Sequence, residues 1–211
     1  MEKIYDNLGY FLLLLIPLTF AGFYKTYFAQ FPDFDDNIDF YIHLHALIAS
    51  IWILMLIAQP ILIRNKNFKL HRTIGRLSYI VFPLLILSFL PQMIKIVQSG
   101  NTNNLFFPLA DCLLLILFYS LAIYNRKNRP KHMRYMIGLA LVFLGPTIGR
   151  IGPILLGWSE LVTQNVQYLL IYVILSGLIY YDSTRKYKFD PYLTVLPAFL
   201  IHQVVYFIIF T

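Results

Sequence analysis

The segment at residues 40–76, "FYIHLHALIASIWILMLIAQPILIRNKNFKLHRTIGR", combines a long apolar run with a basic loop. Residues 40–63 contain no Asp, Glu, Lys or Arg, whereas Arg64, Lys66, Lys69, Arg72 and Arg76 follow within a short distance. About 20 apolar residues in a helix cross the ~30 Å hydrocarbon core of a bilayer. The segment therefore predicts a membrane-spanning helix that ends at a positively charged membrane surface.

The composition extends this interpretation to the whole chain. Hydrophobic residues make up 59% of the 211 residues and charged residues only 13%, whereas a soluble domain carries about 25% charged residues. Lipid leaves backbone groups without partners, so spanning segments of this kind must be helical. We expect an all-α bundle of seven transmembrane helices in a single domain, residues 1–211. The predicted spans are residues 8–28, 40–63, 75–97, 105–124, 133–157, 162–181 and 191–210.

The N-terminal residues and the one cysteine add further expectations. Glu2, Asp6 and the lack of a small-residue cleavage site favour a retained first span over a cleaved signal peptide. Cys112 is the only cysteine, which excludes an intrachain disulfide framework.

Charge alternates sharply between the loops. Residues 64–76, 125–134 and 182–188 are basic, whereas residues 30–39 are acidic and residues 98–104 are uncharged. Basic short loops stay in the cytoplasm, so we expect a cytoplasmic N-terminus and an outside C-terminus in a bacterial inner membrane. The basic loops account for the net charge of +7 and suit anionic lipids. Nucleic acid is not needed to explain that charge.

Ionisable residues on five predicted spans share the outer half of the membrane in this orientation. At a rise of about 1.5 Å per residue, Asp111, Arg150 and His202 lie roughly 9–12 Å from the outer ends of their spans, and Lys25 and His45 lie closer to the surface. Intramembrane charges of this kind face the protein interior and by default mark a functional site. Trp52 joins them because it shares a helix face with His45 and Gln59, whereas His43 points away toward the interface or Asp39. The predicted ligand-binding set is Lys25, His45, Trp52, Asp111, Arg150 and His202.

The fifth span is rich in glycine and proline. Gly138, Gly145 and Gly152 are seven residues apart, and Pro146 and Pro153 each remove a backbone donor. These residues are typical of close helix packing with a kink, and also of a partly unwound helix beside a polar cavity at Arg150. Either interpretation predicts a central position for this span.

The cytoplasmic face offers a second type of site. Helix N-termini and basic side chains attract anions, and lipid phosphate is the simplest anion at a membrane surface. The predicted lipid-binding residues are His71, Arg72, Arg76, His132 and Arg134.

Four motifs, "AGFYKTYF", "HLHALIASIWILMLIAQPILI", "LHRTIGR" and "KHMRYMIGLALVFLGPTIGRIGP", resemble those of a group of uncharacterised bacterial polytopic membrane proteins with an "LHR..G" motif. The resemblance covers spans one to five and implies a multi-pass fold. It implies no activity, and so it assigns no catalytic residue.

Three functions remain open. A metal ion held by His45, Asp111 and His202, or a small ligand in the same place, would use ligand types that suit zinc, iron or copper. A haem b electron carrier would use His45 with His202 and His71 with His132 as paired axial ligands. An accessory subunit would use its apolar surface to dock other membrane proteins. Soluble-type catalytic motifs such as a nucleophile elbow or a phosphate-binding glycine loop are lacking in the sequence, and whether the protein is an enzyme stays open.

Overall fold

The structure is a computed structural model that describes residues 3–36 and 38–211, and within those ranges it is helical and contains no strand. The α-helices are α1 (Leu8–Leu12), α2 (Leu15–Phe23), α3 (Phe40–Arg64), α4 (Phe68–Leu87), α5 (Leu90–Gln98), α6 (Phe106–Tyr124), α7 (Arg129–Val142), α8 (Leu144–Arg150), α9 (Glu160–Thr184) and α10 (Tyr192–Phe210).

Seven helical segments of the described chain are long and apolar enough to cross a membrane. They are Tyr5–Phe23, Phe40–Arg64, Phe68–Gln98, Thr102–Tyr124, Arg129–Leu155, Glu160–Thr184 and Tyr192–Phe210. The predicted all-helical fold with seven spans is confirmed, and the chain is a multi-pass membrane protein.

Polar side chains set the starts of four spans. The side-chain oxygens of Asp39, Asn67, Asn128 and Ser159 each accept a hydrogen bond from the backbone N–H three residues later. Such N-caps satisfy donors that a helix cannot satisfy itself. The cap at Asn67 starts the helix of the third span at Phe68, seven residues before the predicted start of the span, so the basic residues Lys69 and Arg72 lie in a helix.

The first span ends earlier than the sequence predicts. Helix α2 stops at Phe23, and a short 3₁₀ helix, Phe28–Gln30, follows in the connection to α3. Lys25 therefore lies beyond the end of the span.

The described residues divide into two compact units, of which the first runs to Gly100 and the second begins at Asn101. In the first unit, α3 packs against α4 along the face that carries His45, Trp52 and Gln59. The His45 Nδ1 atom lies 2.8 Å from the Ser88 hydroxyl, and the Trp52 ring centroid lies 5.2 Å from that of Phe82. The Gln59 amide donates to the carbonyl of His71 at 3.3 Å. The seven-residue stripe thus holds two antiparallel helices together.

In the second unit, the glycines of the fifth span allow close packing. A Cβ atom at Gly138 would lie 2.7 Å from a methyl carbon of Val195 on α10, and one at Gly152 would overlap Thr163 on α9. The span is also interrupted, because α7 ends at Val142, α8 begins at Leu144, and a π-helical turn, Ile151–Leu155, follows. The structure therefore shows close packing and an interrupted helix, and the polar cavity at Arg150 stays a prediction.

The second unit contains a buried ion pair. The Arg134 Nε atom donates to Asp182 Oδ2 at 2.7 Å, and both side chains are fully buried. The guanidinium also donates to the Pro130 carbonyl and lies 5.9 Å from the ring centroid of Tyr192. The prediction that Arg134 faces lipid is wrong, because a carboxylate inside the protein already balances its charge.

We expect the Asp182→Leu substitution to destabilise the protein strongly. It would leave the Arg134 charge buried without its carboxylate, which typically costs about 3–5 kcal/mol. The double variant Arg134→Met/Asp182→Leu removes both charges and should recover most of that loss. Thermal unfolding in detergent measures the difference.

Asp190→Asn provides the control for this experiment. Its carboxylate pairs with Lys131 at 2.8 Å but is half exposed, and such pairs contribute at most about 1 kcal/mol. Equal melting temperatures for Asp182→Leu and Asp190→Asn would show that the buried pair does not stabilise the fold.

Candidate functional site

The six predicted ligand-binding residues are divided between the two units. Lys25, His45 and Trp52 belong to the first unit, and Asp111, Arg150 and His202 belong to the second. We therefore describe the contacts of these side chains within each unit, because those contacts determine which of them could bind a ligand.

Within the second unit, Asp111 on α6 and His202 on α10 lie close together. The His202 Nε2 atom is 3.7 Å from Asp111 Oδ1, and its Nδ1 atom is 2.7 Å from the hydroxyl of Tyr168 on α9. The imidazole is thus placed between a carboxyl group and a phenol, and its side chain is 6% exposed. Three helices contribute to this arrangement.

Helix α8 adds Arg150 and a close backbone approach. The Arg150 guanidinium donates to the Pro146 carbonyl at 2.9 Å, and Arg150 is near enough to Asp111 for the two groups to interact electrostatically. A Cβ atom at Gly145 would lie 3.4 Å from both Asp111 Oδ2 and Gln167 Nε2. A Cβ atom at this position would thus be in van der Waals contact with both groups, which shows how closely α8 approaches them.

Span six contributes polar residues that the sequence analysis missed. Gln164 and Gln167 are both buried, with exposures of 7% and 4%. Gln164 Nε2 lies 3.9 Å from the position of a Cβ atom at Gly149. Gln167 and Tyr168 follow Gln164 by three and four residues, which places the three on one face of the helix, and this signal was present in the sequence. We call Asp111, Arg150, Gln164, Gln167, Tyr168 and His202 the Asp111 cluster.

Two atoms of the Asp111 cluster are buried without a hydrogen-bond partner. Among residues 3–36 and 38–211, His202 Nε2 and Gln167 Oε1 make no hydrogen bond. Most buried polar atoms in proteins are hydrogen-bonded, so these two atoms require an explanation.

The predicted ligand-binding residues of the first unit make contacts of other kinds. Lys25 is exposed, between Tyr24 and Tyr27. His45 contacts Ser88 and lies 4.5 Å from the Phe89 ring centroid. Trp52 is 1% exposed and belongs to the apolar core.

The predicted lipid-binding residues differ in exposure. Arg72 and Arg76 are exposed, and the Arg72 Nε atom donates to the carbonyl of Phe68 at 3.2 Å. His71 and His132 are partly buried, and His132 Nδ1 lies 2.8 Å from the Ala122 carbonyl oxygen. With Arg134 enclosed in its ion pair, only Arg72 and Arg76 of this set are exposed.

Neither predicted cofactor gains support from the geometry. Within the described ranges, no three His, Cys, Asp or Glu side chains form a group that could hold a metal ion, so the set His45, Asp111 and His202 finds no support as a metal site. The two haem pairs, His45 with His202 and His71 with His132, each take one residue from each unit. Haem binding stays a prediction.

Compared with models of known protein families, with curated proteins and with solved structures, the chain shows no significant match. The resemblance to the polytopic family with the "LHR..G" motif therefore stays a prediction, and functional inference rests on the site itself.

Proposed function

We propose that this multi-pass membrane protein binds a small polar ligand at the Asp111 cluster. The observation that carries the proposal is the pair of buried atoms without a hydrogen bond, His202 Nε2 and Gln167 Oε1. Asp111 Oδ1 lies 3.7 Å from His202 Nε2. Leaving a polar atom buried and unsatisfied costs about 1–3 kcal/mol. A ligand that bonds to both atoms would recover that free energy.

The contrast with Arg134 and Asp182 separates a site from a structural ion pair. That pair is joined at 2.7 Å with both side chains fully buried, so it has no room for another molecule. Asp111 is 18% exposed and lies 3.7 Å from His202, which exceeds a normal hydrogen-bond length. Asp111 and His202 are therefore less tightly joined than Arg134 and Asp182.

The side chains define the chemistry of the ligand. Arg150 carries only hydrogen-bond donors, and an ionised Asp111 carries only acceptors. The Gln167 carbonyl oxygen adds an acceptor, and His202 Nε2 donates or accepts according to its tautomer. The proposed ligand is a small molecule that presents an acceptor group to Arg150 and an N–H or O–H group to Asp111 and Gln167.

A panel of small molecules tests this proposal. The purified protein in maltoside detergent would be melted with amino acids, monosaccharides, monocarboxylates and polyols. We expect at least one compound to raise the melting temperature in a saturable way, because a ligand at 100 times its Kd adds about 2.7 kcal/mol to the free energy of unfolding. Asp111→Asn and Gln167→Leu should abolish the shift.

Gln203→Leu is the matched control, because Gln203 accepts a hydrogen bond from the Tyr172 hydroxyl at 2.6 Å in the same unit. This variant should keep the ligand shift and lose stability. Gln167→Leu removes an unpartnered atom and should not lower the stability of the ligand-free protein. A ligand shift that survives Asp111→Asn, or a panel without any shift, would contradict the proposal.

We also propose that the N-terminus lies in the cytoplasm of a bacterial cell and the C-terminus outside it. The loop charges support this orientation, since residues 64–67 and 125–128 contain Arg and Lys whereas residues 99–101 contain neither. Arg72 and Arg76 are exposed and one helical turn apart, which suits anionic lipid at the cytoplasmic surface. The Asp111 cluster then lies in the outer half of the membrane.

Cysteine labelling in whole cells tests the orientation. In a Cys112→Ala background, Asn103→Cys should react with a membrane-impermeant maleimide in intact cells. Lys127→Cys should react only after the cells are permeabilised. Both positions are exposed, so the reverse pattern would show the opposite orientation.

A further inference from the structure

A cavity of about 590 Å³ lies in the first unit, next to the end of the first span. This volume is within the range of about 300–1,000 Å³ that is usual for small-molecule pockets. His43 on α3 forms part of its wall, and the aromatic part consists of Phe20, Tyr24, Tyr27, Phe28, Phe31 and Phe34. The Asp111 cluster contributes no residue to this cavity, so the two sites are independent.

The rings support one another around the cavity. The ring centroid of Phe34 lies 4.6 Å from that of His43 and 5.3 Å from that of Tyr27. A hydrogen bond of 2.8 Å joins the Tyr27 hydroxyl and His43 Nδ1. Burial raises the pKa of the Tyr27 phenol, so the phenol carries no charge at neutral pH. Isolated aromatic residues anchor proteins at a membrane interface, but here the rings contact one another and line one open cavity.

The segment around the cavity is acidic. Asp33, Asp35 and Asp36 are exposed and flank Phe34 in the chain, and Lys25 is the one basic residue between positions 20 and 43. Asp39 is already paired with Lys95 at 3.0 Å. That hydrogen bond holds the pKa of the Asp39 carboxyl below its ordinary value. Three exposed aspartates, Asp33, Asp35 and Asp36, thus adjoin the wall residue Phe34 in the chain, and we call them the acidic rim.

We propose that this aromatic cavity binds an organic cation that carries an alkylated ammonium group. The faces of aromatic rings carry negative electrostatic potential and attract cations, and aromatic cages are the usual sites for quaternary ammonium groups. The apolar walls suit the methyl groups of such a cation, and the aspartates favour its charge over that of an anion. A neutral apolar molecule would gain nothing from the acidic rim.

Titration with choline, tetramethylammonium and 3,3-dimethylbutan-1-ol tests this proposal. The alcohol has the shape of choline without its charge. Calorimetry on the full-length protein in maltoside detergent should detect saturable binding of both cations and at least tenfold weaker binding of the alcohol. Equal affinities for choline and the alcohol, or no binding of either cation, would overturn the proposal.

Substitutions in the wall provide a second test. Phe34→Leu and Tyr27→Leu keep apolar volume but remove a ring, and each should weaken choline binding by about three- to thirtyfold. Phe40→Leu is the control, because Phe40 is 71% exposed and is not part of the wall. Melting curves and circular dichroism identify variants that fail to fold. A folded Phe34→Leu variant with the affinity of the unchanged protein would contradict the proposal.

The acidic rim is tested separately. The triple variant Asp33→Asn/Asp35→Asn/Asp36→Asn should weaken choline binding and reduce its dependence on salt concentration. Affinity for the uncharged alcohol should not change. Unchanged choline affinity in this variant would show that the aspartates do not contribute, against the proposal.

The ammonium group could belong to a soluble molecule or to a lipid headgroup, and nanodiscs distinguish the two. Nanodiscs of phosphatidylethanolamine and phosphatidylglycerol would be compared with nanodiscs of phosphatidylcholine and the same share of phosphatidylglycerol. Weaker binding of tetramethylammonium in the phosphatidylcholine nanodiscs would support the cation site and identify a lipid headgroup as its occupant. Equal binding in both would support the site with a soluble cation as its ligand.

Discussion

The absence of hydrogen-bond partners in hydrocarbon is the constraint on which the rest of the structure depends. Backbone groups meet it by forming helices, and four polar caps satisfy the first donors of their spans. Charged and polar side chains meet it by pairing inside the protein. Some buried polar side chains make all their hydrogen bonds within the protein, and others keep an atom without one. We take the first group as structural and the second as candidates for binding a ligand.

The two units use their polar residues differently. In the first unit, His45 and Gln59 hydrogen-bond to α4 and so help to hold a helical hairpin together. The second unit contains both the buried pair of Arg134 with Asp182 and the Asp111 cluster. Polar groups that lack partners lower stability and are retained where function requires them. In the second unit, the 3.7 Å between His202 Nε2 and Asp111 Oδ1 is the reason we propose a polar ligand site there.

The spans could be predicted from the sequence because their signal is local. Long apolar runs and charged loops identified all seven, with errors at the ends where a cap or a turn overrides hydropathy. The helix that Asn67 caps begins seven residues before the predicted start of the third span, and α2 ends at Phe23, two residues before Lys25. These features depend on single side chains and on local packing, which hydrophobicity does not report.

The candidate site could be predicted only in part, because its contacts join distant residues. The predicted depths of Asp111 and His202 in the membrane are similar, and in the structure Asp111 Oδ1 and His202 Nε2 are 3.7 Å apart. The partner of Arg134 lies 48 residues away, and Asp182 seemed to belong to a basic loop. His43 was set aside because it shares no face with His45, yet it forms part of an aromatic cavity. Gln164 and Gln167 were missed because the candidate residues were selected mainly for ionisable side chains, and glutamine is uncharged.

A double-mutant cycle on Asp111→Asn and His202→Gln tests most directly whether intramembrane polar groups from different helices act together. Melting in detergent should give a coupling energy of about 0.5–3 kcal/mol between the two substitutions, as for residues in contact. Asp111→Asn combined with His132→Gln is the control, since His132 contacts the Ala122 carbonyl, eleven residues from Asp111 on α6 and so about 16 Å along the helix. Strictly additive effects of Asp111→Asn and His202→Gln, matching those of the control pair, would contradict the account.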